Sequence, residues 1–82
     1  MRKIAWIAAI AESRETPGTY CAYGIPIQEG TNILALLKQH PDLTQAELCT
    51  TKKECRRLVD YWNQCFRDNG THTYYGNGNP LF

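Results

Sequence analysis

Residues 2–12 of this 82-residue chain are apolar on both sides of a strand pattern. Ile4, Trp6, Ala8 and Ile10 alternate with Ala5, Ile7, Ala9 and Ala11. A strand of that kind cannot sit on a surface. It predicts a central strand covered on both faces, and the alanines leave room for close helix packing.

The rest of the chain is read around that strand. Ser13 to Gly18 is a polar turn closed by Pro17-Gly18, and Thr19 to Gln28 alternates as a second strand, giving a hairpin. Gly24 and Pro26 interrupt one of its faces, so its end is expected at an edge or bulge. Gly30-Thr31-Asn32 opens a helix with Thr31 as the expected N-cap and Ile33, Leu34, Leu36 and Leu37 as its buried stripe. Pro41 stops it after His40. Residues 43–50 are ambiguous between helix and strand. A new helix cap follows almost at once, which favours a short strand through Ala46 to Cys49.

The clearest helix runs from Thr51 to Asn69. Thr51-Lys52-Lys53-Glu54 has the spacing of a capping box, and Cys55, Leu58, Val59, Trp62, Cys65 and Phe66 follow a three-four repeat. Gly70 suits the left-handed position after its end. Thr71 to Tyr75 alternates as a last strand, and residues 76–82 read as a turn or flexible tail. The expected order is ββαβαβ: a single α+β domain over residues 1–82, with two amphipathic helices packed on a β-sheet. Folding at this length buries only about 60% of the unfolded chain's surface, so a disulfide, a metal or a partner subunit would help.

Chemistry-bearing patterns are sparse. The four cysteines lack a Cys-x-x-Cys knuckle, and His40 and His72 stand at no ligand spacing from them, so no metal site is expected. Cys55 and Cys65 lie about 15 Å apart along one helix and cannot bond to each other. Cys21 with Cys49 or Cys55 stays open as a disulfide. The simpler reading is small core residues in a reducing compartment. No phosphate loop, paired-carboxylate site or nucleophile signature occurs, so neither an enzyme nor a cofactor is expected.

Binding surfaces are easier to nominate. Lys53, Arg56, Arg57 and Arg67 lie off the apolar stripe of the second helix, and Tyr74 and Tyr75 follow in the last strand. Together they suggest a contact site for an acidic protein surface or phosphates; the plainer reading is a solvated face. The amides of Gly30, Thr31 and Asn32 could hold an anion, against ordinary helix capping. A net charge of +1 argues against a nucleic-acid binder. Met1-Arg2-Lys3 followed by Ile4 to Ala11 also has a signal-peptide layout, but the apolar stretch is short. The expected location is cytoplasmic, with secretion as the alternative if residues 1–11 act as a signal.

The whole chain, with Thr-Lys-Lys-Glu-Cys-Arg-Arg-Leu-Val-Asp-Tyr-Trp-Asn-Gln-Cys-Phe as a helix and no enzymatic motif, resembles the compact accessory proteins encoded by phages and prophages. Many of these inhibit host defence systems. The resemblance matches no individual family, so no residue role carries over. It implies stoichiometric binding of a host protein complex, or alternatively of a nucleotide signal. Self-association is compatible with either.

Overall fold

The computed structural model describes residues 3–73. Its elements are β1 (Lys3–Glu12), β2 (Tyr20–Gln28), α1 (Ile33–Lys38), β3 (Leu43–Cys49) and α2 (Lys52–Asp68). The three strands form one antiparallel sheet in the order β2-β1-β3. The doubly apolar strand is central, as its pattern requires. The last expected strand, Thr71 to Tyr75, is seen only as a parallel bridge between His72 and Tyr20. Thr71, His72 and Thr73 form no longer ladder, and Tyr74 and Tyr75 lie outside the described residues. Among the described residues the order is therefore ββαβα.

Each face of β1 carries its own apolar layer. Trp6, Ala8 and Ile10 join Ala22 and Cys49, and α2 seals them with Cys55 and Val59. Leu58, Trp62, Phe66 and Tyr20 close the margins. Ala8, Cys55 and Val59 are wholly buried: small side chains meet at the crossing, so the helix backbone approaches the sheet closely. On the reverse face Ile7, Ala9 and Ala11 meet Cys21, Tyr23, Ile25 and Ile27, covered in part by Leu36, Leu37 and Leu43.

The helix ends follow local chemistry. Thr51 Oγ accepts from the Glu54 amide at 3.1 Å, the expected half of the capping box. The reciprocal half is absent: the Glu54 carboxylate instead accepts from the Thr50 hydroxyl at 3.1 Å. At the other end Gly70 adopts φ 69°, its amide bonds the Arg67 carbonyl, and the Thr71 amide bonds the Phe66 carbonyl at 2.8 Å. This is the Schellman closure that the Asn-Gly pair predicts.

Two expectations about α1 and one about β3 need correction. Asn32, rather than Thr31, is the N-cap: its side chain accepts from Ala35 N at 3.2 Å. The helix is only six residues long, so one turn can face the sheet. Leu36 and Leu37 take that position, while Ile33 and Leu34 are exposed. Strand β3 begins at Leu43, three residues before the expected start, because pairing with β1 continues through a bulge at Thr44. No described helix is long and apolar enough to cross a membrane.

One contact ties α2 to the sheet by hydrogen bonds as well as packing. Asn63 accepts from the Ala22 N–H at 2.8 Å and donates to the Ala22 carbonyl at 3.0 Å. Its amide pairs with β2 as another strand would. Truncation leaves both backbone groups unpaired under the helix. We expect Asn63→Ala to cost about 2 kcal/mol, measured by urea denaturation, with Asn63→Leu no better although it keeps the bulk.

Candidate protein-binding surface

The outer side of α2 is built by what its inner side must bury. Cys55 and Val59 face the sheet, which turns Lys53, Arg57, Asp60 and Gln64 to the opposite side, all exposed. Arg56 and Arg67 are also exposed on α2. Four of the nominated residues therefore share one helix surface. Tyr74 and Tyr75 lie outside the described residues.

The two halves of that surface differ. Near the C-terminus the side chains satisfy one another: Arg67 donates to Gln64 Oε1 at 3.2 Å, and Gln64 donates to Asp68 Oδ1 at 2.8 Å. Near the N-terminus Lys52, Lys53, Arg56 and Arg57 outnumber Glu54 and Asp60, which neutralise them only in part. Lys52 sits 5.5 Å from the centre of the Trp6 ring. The described salt bridge of this chain joins Arg14 to Asp42, far from α2 in sequence, and neither Lys53 nor Arg57 takes part in it. Lys52 and Lys53 occupy the first turn, where the helix dipole disfavours cations. Lys52 with Arg56, and Lys53 with Arg57, are like-charged pairs one turn apart. Glu54 is the single acid of the first turn.

Aromatic contact residues separate in the same way. Tyr20 is half-buried and stacks on Phe66, with ring centres 5.4 Å apart, so it serves the core. Tyr61 is 64% exposed on α2 and is available to a partner.

The anion-binding reading of Gly30, Thr31 and Asn32 meets a turn and cap that occupy the Thr31 amide and the Thr31 and Asn32 side chains. Gly30 is a left-handed turn residue, φ 85°. Thr31 Oγ accepts from the Gln28 amide at 3.2 Å, and the Thr31 amide bonds the Gln28 carbonyl at 3.1 Å. Asn32 is spent as the cap.

All four thiols are free. Cys21 belongs to the α1-side layer, whereas Cys49 and Cys55 lie in the α2-side layer, so the sheet separates the pairings left open by the sequence. Burial pushes the Cys21 thiol up to about 11 and the Cys55 thiol up to about 12, and burial also raises Cys49. Thiols held protonated are poor nucleophiles and poor metal ligands. The described residues contain no cluster of three or more His, Cys, Asp or Glu able to hold a metal ion.

The chain matches no protein-family model, no curated protein and no solved structure.

Two predictions follow from these side chains. In the native protein iodoacetamide should label half-buried Cys65 first, and the three buried thiols only as the protein unfolds, read by mass spectrometry. His72 is depressed from its ordinary 6.5, first by burial and then by the charge of Arg67. The unfolded chain then binds a proton that the folded chain resists. The stability this group contributes is complete above 6.5 and is lost as pH falls towards the folded value. His72→Gln should flatten that part of the pH–stability curve, and Arg67→Gln should raise the His72 pKa in an NMR titration.

Proposed function

We propose that the chain is a non-catalytic protein-binding module whose α2 helix docks on an acidic surface of its partner. The observation that carries this reading is the excess of cations over acids in the N-terminal half of α2, with Lys52 and Lys53 in its first turn and Lys53 one turn from Arg57. Solvation alone gives no reason to place cations against the helix dipole and in like-charged pairs at i,i+4. An acidic partner removes both penalties on contact, so an arrangement unfavourable in the free chain becomes favourable in the complex. Lys53, Arg56 and Arg57 supply the charge, and exposed Tyr61 supplies an aromatic anchor of the type enriched at binding hot spots. Arg67 is bonded to Gln64 and lies at the rim.

The resemblance to phage and prophage accessory proteins supports a host protein complex as the partner and stoichiometric inhibition or adaptation as the mode. High thiol pKa values at Cys21 and Cys55 favour binding over nucleophilic catalysis.

Stability and binding should respond oppositely to one substitution. Lys53→Glu places an acid in the first turn and creates an i,i+4 pair with Arg57. We expect the free protein to gain about 0.5–1 kcal/mol in urea denaturation. The same variant, and more strongly Lys53→Glu with Arg57→Glu, should lose the partners that immobilised wild-type protein captures from a bacterial lysate. Capture that is indifferent to both variants and to salt would sink the reading.

A further inference from the structure

The two edges of the sheet are guarded very unequally. On β2, Tyr20 gives its N–H to the Thr71 carbonyl and its carbonyl to the Thr73 N–H. Ala22 gives both groups to Asn63. Pro26 has no N–H to offer. A sheet edge covered in this way does not recruit another strand.

Strand β3 has none of these devices. Leu-Thr-Gln-Ala-Glu-Leu-Cys contains no proline and no lysine, and among the described residues nothing pairs with its outer side. Alternation fixes which groups are open. Since Tyr20 and Ala22 point away from β1, the backbone groups of Cys21, Tyr23 and Ile25 point towards it. Their partners Ala11, Ala9 and Ile7 then face β2, which leaves Trp6, Ala8 and Ile10 facing β3. The Thr44 hydroxyl donating to the Ile10 carbonyl and the Glu12 amide bonding the Asp42 carbonyl agree with that parity. Cys49, Glu47 and Gln45 therefore face β1, and the N–H and carbonyl groups of Ala46 and Leu48 are directed outward.

We infer that β3 pairs antiparallel with β3 of a second copy of the chain, about a two-fold axis at Ala46, giving one six-stranded sheet. Three features on this edge fit a second copy. The first is charge: Glu47 is the single ionisable acid of the strand, and this register sets it opposite Gln45 of the other copy instead of opposite its own carboxylate. The second is shape. Leu48 is 62% exposed, and it stands about 7 Å along the strand from Ala46. An open hollow walled by Leu37, His40, Pro41 and Leu43 lies beside Thr44, the same distance to the other side of Ala46. A two-fold axis normal to the sheet keeps each face with its like, so each Leu48 is carried over the hollow of the other copy. The third is steric: Ala46, at the axis, is small enough for the two strands to meet.

This pairing does not depend on the α2 reading, since it uses a different element. The test is sedimentation velocity of the full chain over a range of concentration. Wild type should dimerise reversibly. Leu48→Lys, an exposed change that leaves the fold intact by circular dichroism, should be monomeric. Gln45 reads the register: Gln45→Lys opposite Glu47 should tighten the dimer several-fold, and Gln45→Glu should weaken it by a similar factor. A wild type that stays monomeric throughout, a Leu48→Lys variant that still dimerises, or Gln45 variants that shift in the same direction would each overturn the pairing. So would a monomer that binds an extended foreign peptide along β3.

Discussion

Everything in this small structure depends on burying β1 from both sides. A chain of this length has little interior to distribute, and it spends that interior on one strand. Ala8 and Ala9, adjacent in sequence and opposite in facing, are both completely removed from water. Their small size brings α2 close on one side and lets the long apolar side chains of β2 fold over the other. The cost is thinness. Neither layer is more than one helix deep, and the cover at the β3 end is incomplete.

That incompleteness follows from how the chain crosses the sheet. Strand β2 and strand β3 flank β1, so the connection between them must pass over β1. Only the six-residue α1 makes that passage, and it brings just Leu36 and Leu37 to the sheet. On the opposite face α2 lies over β1 and β2, where Asn63 holds it to Ala22, and leaves Gln45 and Glu47 of β3 in water. The strand that α2 covers least is the one with an open edge.

How much of this could be read from residue order depended on whether the signal was periodic or positional. Strand β1 and helix α2 were legible because a two-residue or a three-to-four-residue repeat persists across each of them. Gly70 was legible because only its conformational freedom suits the turn. The start of β3 was not, since Leu43, Thr44 and Gln45 have no strand repeat and join the sheet through a bulge. The choice between Thr31 and Asn32 as cap was lost because both can accept, and the Thr31 hydroxyl turned back to Gln28 instead. The cationic surface of α2 was foreseen from composition, but its imbalance towards the N-terminus appears only once the bonded partners of Arg67 and Gln64 are seen. Asn63 was invisible. On a helical wheel it borders the buried stripe like any polar flank residue, and nothing in its neighbours says that a strand edge lies opposite.

The division of the interior by β1 also decides what can be observed of the protein. Trp6 and Trp62, the two tryptophans of the chain, lie in the same layer, beneath and beside α2. The other layer contains no indole; its large aromatic ring is Tyr23, hydrogen-bonded with His40 Nδ1 at 3.0 Å. Tryptophan emission therefore reports the lifting of α2 and is silent about the loosening of α1. The chemical environment of His40, seen through its ring resonances, is the natural beacon for the layer that fluorescence leaves dark.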